Sequence, residues 1–270
     1  MSPAEQALVE IERRERAVTP ERLGLWAIAL GAVAFYLVAG HLAGIDLGKL
    51  ATGIPKLGRW LAQAWPPRLA ELPLFLERTA ETVAMAAIGT TVATLLALPM
   101  AVLASRNITP VPALYHPARW FLNVLRGIDS FVFALLFVAA VGLGPFAGVL
   151  GIALHTWGSA AKFFADGIES ANLGPFEAVR TTGAGRLTAI AYALLPDLLP
   201  VMASTTLFWW EFNVRASTVL GVVGAGGIGL ELKNSMDLLD FPRLFTIIAV
   251  ILVVVTALDQ LSGWLRRRLV

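Results

Sequence analysis

Residues 177–196, EAVRTTGAGRLTAIAYALLP, decide how this chain is read. Glu177, Arg180, Thr181, Thr182, Gly183, Gly185 and Arg186 make the first half polar and glycine-containing, yet long apolar runs lie on both sides. Apolar helices cannot end in such a segment inside lipid, where each unpaired backbone group costs several kcal/mol. The stretch is therefore expected in water, just outside a bilayer. Its spacing is specific: Glu177-Ala178, then Gly183, then Leu195-Pro196. An ordinary amphipathic interfacial loop is the bland reading, and a loop that docks on a partner is the functional one.

Composition supports a membrane setting. Of 270 residues, 57% are hydrophobic and 15% are charged, and the mean hydropathy is +0.72. A soluble domain is nearer half apolar and a quarter charged. The excess falls in runs about 20 residues long, the length needed to cross a hydrocarbon core of roughly 30 Å. The chain reads as an all-α polytopic membrane protein. It has no Cys, which excludes disulfides, thiolate metal sites and Cys nucleophiles. A net charge of +2 gives no reason to infer nucleic-acid binding.

The segment before residue 23 is charged with mixed sign, from Glu10 to Arg22, and suits a solvated helix with i,i+4 pairs. Leu23 to Ala43 is the first apolar run. Its length and its acidic-basic start favour a retained transmembrane helix over a cleaved signal peptide. Residues 44–75 interleave Lys49, Lys56 and Arg59 with Leu50, Ile54, Leu57 and Leu61, and contain Trp60 and Trp65. They read either as an amphipathic helix at the interface or as a loop with an apolar edge. Further spans are expected at about 79–104, 118–141, 146–170, 197–215 and 242–265, giving about six transmembrane helices. Pro99 should kink the second.

Six spans place both termini and the 177–196 stretch on one side. That side carries Arg13, Arg14, Arg16, Arg106, Arg119, Arg180, Arg186 and Arg266 to Arg268. The other carries Lys49, Lys56, Arg59, Arg68, Arg215 and Lys233. The bias assigns the termini to the cytoplasm.

Several motifs need weighing. Gly224-Ala-Gly226-Gly227-Ile-Gly229 matches the GxGxxG pattern of dinucleotide sites, but it lies between two apolar spans rather than in a βαβ unit. A tight turn or re-entrant loop is the physical reading. No GxxxxGK[ST] sequence is present, so any ATP hydrolysis must come from a partner. Glu211 and Arg215 are i,i+4 and can pair at the outer end of the fifth span. Asn213, Arg215, Ser217 and Thr218 offer donors to an oxyanion path. A structural ion pair with a snorkelling Arg is the alternative. Lys162 with Asp166, and Arg126 with Asp129, read first as structural pairs. Lys162 and Arg126 are also candidates to attract an anion. His155 is expected to form an interhelical hydrogen bond. His41, His116 and His155 show no metal spacing, and HExxH and GxSxG are both missing.

The 177–196 stretch resembles the EAA loop of ABC-importer permeases. Glu177, Ala178, Gly183, Leu195 and Pro196 fall in register with that family's pattern, while Val179 and Ala193 depart from it. From about Arg126 onward the chain resembles the phosphonate/phosphite branch of these permeases. Three stretches carry this likeness: ALLFVAAVGLGPFAGVLGIALHTWGSAAKFF, EAVRTTGA and EFNVRASTVLGVVGAGGIG. Asp129 stands where that branch has Pro, so no role is carried over to Arg126.

The resemblance implies a type I ABC importer permease fold. Residues 1–22 would form a cytoplasmic segment, 23–75 a first transmembrane helix with an interfacial loop, and 76–270 the permease domain. It implies a transporter subunit of the cell inner membrane, not an enzyme, with no cofactor of its own and ATP bound by the partner. Its partners would be cytoplasmic ABC ATPase subunits, a periplasmic or lipid-anchored substrate-binding protein, and a second permease copy in a homodimer. Glu177, Ala178, Arg180, Gly183, Ala184, Leu195 and Pro196 would form the coupling joint. The substrate pathway would use Asn213, Arg215, Ser217, Thr218, Lys162 and Glu211. Phosphonates or phosphite would be the cargo; an amino acid, another oxyanion, or a non-transporting scaffold are the other readings.

Overall fold

A computed structural model describes residues 20–269. The charged helix expected over residues 1–22 lies almost wholly outside the described residues. The chain divides into two compact units, Met1–Arg59 and Trp60–Val270.

The described part of the first unit is helical. α1, Pro20–Leu42, is apolar all round, and from Gly24 onward most of its side chains are exposed. α2, Leu47–Gln63, begins where the Asp46 carboxylate accepts the backbone N–H groups of Gly48 and Lys49 at 2.8 and 3.1 Å, an N-cap that satisfies orphan donors. Its cationic and apolar residues fall at helical spacing, which decides for the amphipathic helix over the loop. α2 runs on into the second unit.

The second unit is built around two parallel helices. α3 is Leu72–Leu103 and α6 is Pro145–Ser170. They touch from Gly89 against Ile152 at one level to Ser105 against the Ala165 carbonyl at another. α6 turns a face of Gly148, Gly151, Gly158, Ser159, Ala160, Ala161 and Ala165 inward. Small residues let helix backbones approach closely in membranes, where no hydrophobic force separates protein from lipid. A Cβ on Gly151 would lie 2.8 Å from Ala134 N, and one on Gly158 would lie 2.8 Å from Arg126 N.

The return path between α3 and α6 is broken. The single span expected over 118–141 is instead α4, Pro112–Gly127, and α5, Ser130–Val141, bent by 84°. Asp129 causes the break: its Oδ1 accepts the Phe131 N–H at 2.8 Å and so caps a new helix. The Arg126–Asp129 pair is therefore not what holds Asp129. Ile128, now extended, frees its carbonyl, which accepts a hydrogen bond from His155 Nδ1 at 2.8 Å. The interhelical bond expected of His155 is present.

After α6 comes a short helix, α7, Gly174–Thr181. The chain then enters α8, Arg186–Ala225, which is helical as far as the kink at Gly224. This corrects the expected 197–215 span at both ends. Leu195 and Pro196 lie inside the helix, not in a loop. Pro196 and Pro200 cannot donate backbone bonds, and a π-helical stretch at Ile190–Leu194 precedes them. A second π-helical stretch, Gly221–Ala225, ends α8. The chain turns sharply at Gly224, whose φ of +95° suits glycine. α9, Gly227–Asp237, and α10, Phe241–Leu269, complete the fold. The Ile228 N–H donates to Thr82 Oγ1 at 2.9 Å. The GxGxxG match is thus a turn packed on α3, as its position between spans predicted.

Among the described residues four helices are long and apolar enough to cross a membrane: Gly24–Leu42, Leu72–Leu103, Arg186–Ala225 and Phe241–Arg268. The bent pair α4–α5 makes a fifth. α6 has the length, 26 residues, but small and polar residues on its inner face lower its hydropathy. The all-α polytopic architecture expected from the sequence is the one observed, with four or five apolar spans among the described residues in place of about six.

Gly158→Val tests the α6 packing. It should destabilise the folded protein by about 1–3 kcal/mol through overpacking, read as a lower Tm in detergent. Gly167→Ala, where a Cβ meets nothing within 4 Å, should leave Tm unchanged. An unchanged Tm for Gly158→Val would contradict the packing.

Candidate functional site

Residues 174–196 sit on a platform at one end of α3 and α6. Asn172 Oδ1 accepts the Gly174 N–H at 2.9 Å and starts α7. Phe176 and Val179 turn inward onto a core that includes Ile108, Ile168 and Leu194. Glu177, Ala178 and Arg180 turn outward and are exposed. Gly183 then ends the helix with φ +85°, a backbone state that costs an L-residue roughly 1–2 kcal/mol. Ala184 is half-buried and Pro196 exposed, while Leu195 packs on the same core. The stretch thus divides at Gly183: a short amphipathic helix before it and the start of α8 after it.

Beneath the loop lies a polar lattice. Arg119 binds Asp166 at 3.0 Å and Glu169 at 2.9 Å, and its Nε donates to the Ala104 carbonyl at 2.9 Å. Glu169 Oε1 accepts the Arg106 N–H at 2.7 Å. Asn107 Nδ2 donates to the Ile168 carbonyl at 2.9 Å. These bonds tie the ends of α3, α4 and α6 together and hold α7 in place through Phe176. The lattice corrects one expected pair. Asp166 goes to Arg119, and Lys162 donates to Asn123 Oδ1 at 2.7 Å instead. Lys162 is half-buried and stands apart from the other pathway residues.

The remaining pathway candidates divide into two groups. Asn213 is fully buried, and its Nδ2 donates to Thr90 Oγ1 at 2.8 Å and Thr156 Oγ1 at 2.9 Å. Ser217 is buried, and its hydroxyl donates to the Asn213 carbonyl at 2.7 Å. Thr218 is half-buried, with its hydroxyl toward the Val214 carbonyl at 3.4 Å. Asn213 therefore ties α3, α6 and α8 together, while Ser217 is bonded back to its own helix.

Glu211 and Arg215 form the second group. They pair at 2.8 Å, as their spacing predicted. Their level differs from the expected outer end, because α8 continues well beyond Arg215 to Ala225. Arg266 from the last turn of α10 binds the other oxygen of Glu211 at 2.9 Å, and Asp259 lies 3.8 Å from Arg215. No local spacing points to Arg266 or Asp259, since their partners are more than 40 positions away.

The opposite end of α3 carries a separate network. Arg243 Nε binds Glu71 at 2.8 Å, its NH2 binds Glu231 at 2.6 Å, and its NH1 donates to Ser235 at 2.9 Å. Arg68 binds Asp240 at 2.7 Å and Arg78 binds Glu81 at 2.9 Å. This network fixes α9 between the starts of α3 and α10. No group of His, Cys, Asp and Glu able to hold a metal ion occurs among the described residues.

The bundle thus carries a short amphipathic helix, α7, at one end and a charged network at the other. The chain belongs to the family of binding-protein-dependent transport system inner membrane components, whose model matches residues 93–270. It is 45% identical over 241 residues to HtxC of Stutzerimonas stutzeri, a protein provisionally named a phosphite transport system permease, covering 89% of this chain and 86% of HtxC. It is 37% identical over 262 residues to the phosphite transport system permease protein PtxC of the same organism, covering 95% and 94%. In fold it is similar to the inward-facing MetNI methionine ABC transporter, with a TM-score of 0.65 at 20% identity over 75% of this chain and 99% of that one.

Replacing Asn213 with Leu should strand the Thr90 and Thr156 hydroxyls in the core. Each unsatisfied group costs about 1–3 kcal/mol, so the purified protein should melt at a clearly lower temperature. A variant as stable as the parent would show that Asn213 is not a structural lock.

Proposed function

We propose that this chain is the membrane-spanning permease subunit of an ABC importer for small phosphorus oxyanions of the phosphite and phosphonate type. ATP hydrolysis occurs on a separate cytoplasmic ATPase that grips α7, and a substrate-binding protein delivers cargo at the opposite end, where Arg68, Glu71 and Arg243 lie. The chain binds no cofactor of its own. Two copies face one another across the path, as a homodimer. With α1 counted as a crossing, both termini lie in the cytoplasm with α7.

One observation supports this reading above the others: α7 buries Phe176 and Val179 while presenting Glu177, Ala178 and Arg180 outward. A helix seated on one face and bare on the other can pass force from a partner into α6 and α8, because Gly183 lets the chain reverse beside it. The resemblance to HtxC and PtxC supports the cargo class. An importer of the same architecture for an amino acid or another oxyanion is the second reading, favoured by the shared fold with MetNI.

Uptake in the native cell, with and without this chain, tests the cargo. Labelled phosphite, methylphosphonate, hypophosphite and phosphate form the panel. Loss of phosphite or phosphonate uptake, restored by the intact gene, is the expected result. Unchanged uptake of all four would overturn the phosphorus assignment.

Glu177→Lys and Gly183→Asp should leave the protein in the membrane at normal level but abolish ATP-driven uptake. A Cβ on Gly183 meets nothing within 4 Å, and the φ of +85° costs an L-residue only about 1–2 kcal/mol, so the protein should still fold and the defect should lie in coupling. Intact uptake in both variants would refute the coupling role.

A further inference from the structure

The Glu211 carboxylate is held in a fork. Arg215 NH2 donates to its Oε1 at 2.8 Å and Arg266 NH2 donates to its Oε2 at 2.9 Å. The two guanidiniums come from different helices, α8 and α10, and converge on one carboxylate. Two guanidiniums around a flat anion are also what recognises a tetrahedral oxyanion, because the fork of N–H donors fits either.

On α8 the fork lies within the helix, and Arg266 reaches it from the last turn of α10. Glu211 is two residues from Asn213, which is bonded to Thr90 near the middle of α3. Ionisable groups at such depth are expensive and are rare without a function. Glu211 is 13% exposed, but Arg215 is 48% exposed. The α8 face that bears Arg215 also bears the exposed Phe208, Phe212 and Val219. A half-exposed guanidinium in the middle of an apolar stripe would be costly against lipid, and is accommodated where the stripe borders an aqueous path.

The surroundings hold polar atoms with nothing to bind. Trp210 Nε1, Asp259 Oδ1 and Ser262 Oγ are all buried without a partner among the described residues. Ser262 has no exposed surface, and its carbonyl accepts from Arg266 Nε at 3.4 Å. Trp210 adjoins Glu211 in sequence, and Ser262 lies one turn before Arg266. The Ser262 hydroxyl, one turn before Arg266 and unpartnered among the described residues, is a donor for a further oxygen of a bound anion.

We propose that Arg215 and Arg266 form an oxyanion relay site, and that Glu211 is a resident placeholder displaced by the cargo. This rests on the importer reading above. An empty pair of arginines at this depth would leave charge uncompensated, which is strongly destabilising. The carboxylate supplies the compensation at rest. Exchange of one carboxylate for one oxyanion leaves the local charge little changed, so cargo enters without a large electrostatic barrier. When it leaves, Glu211 returns and closes the fork behind it.

The test uses the full permease–ATPase complex in lipid nanodiscs, with phosphite binding followed by calorimetry and chloride as the control. Glu211→Gln removes the competing charge and should tighten phosphite binding about tenfold. Adding Arg266→Gln or Arg215→Gln to that variant should abolish the gain. Binding no tighter in Glu211→Gln, or tight binding that survives loss of either arginine, overturns the proposal. If Glu211→Gln does not assemble, Arg266→Gln alone decides. It should lower phosphite uptake at least tenfold at normal protein level, and uptake equal to the parent overturns the relay. Cells that import phosphite while the variants behave as the parent refute the relay and keep the transport reading. Parent cells that import no phosphorus oxyanion refute the transport reading itself.

Discussion

The close approach of α3 to α6 governs the rest of the second unit. Inside a membrane, helices gain little from burying apolar surface and must rely on packing and on satisfied polar groups. α6 meets this with glycine, alanine and serine on its inner face, so that α3, α4, α5 and α8 can each pack against it. Once that spine is set, the polar locks can form. Asn213 reaches Thr90 and Thr156 only because their backbones are near enough. At one end the same approach brings Glu169 within reach of Arg106 and Arg119.

The two ends of α3 show why charge is placed as it is. Its 32 residues extend about 48 Å at 1.5 Å per residue, longer than the hydrocarbon core. Both polar networks therefore stand beyond the apolar zone. Arg119 with Asp166 and Glu169 braces the platform for α7. Arg243 with Glu71 and Glu231 braces α9. The Glu211 fork is the exception: Glu211 lies two residues from the buried Asn213, with half-exposed Arg215 and with Arg266 from the last turn of α10 beside it. Positive charge at depth is tolerated there because each guanidinium has a carboxylate beside it.

Much of this was legible in the sequence. Run lengths gave most of the spans, and the polar first half of the 177–196 stretch marked the break between α6 and α8. The i,i+4 spacing of Glu211 and Arg215 gave a real pair. What misled was local arithmetic where a distant partner competes. Lys162 and Asp166 share a helix face, yet Asn123 and Arg119 take them. Asp129 reads as a charge inside a span, but its preference for capping split that span in two. Leu195 and Pro196 read as loop because proline usually marks an end, while a π-helical stretch carries the helix across it. Asn213 looked like a pathway donor, but its amide is used up by two threonines. Arg266, Asp259 and Arg119 were out of reach of sequence spacing, because the bundle alone brings their partners near.

The account turns on α7 being the surface that a partner ATPase grips. Because the chain has no cysteine, one introduced thiol gives a clean reporter. Ala178→Cys, on the exposed face of α7, should crosslink to a P-loop ATPase in native membranes through a short bifunctional reagent. Leu238→Cys, exposed near the opposite end of α3, should not. An ATPase adduct at Ala178 alone is the predicted result. An adduct at Leu238 in place of Ala178, or none at Ala178 in cells that still transport, would contradict the account.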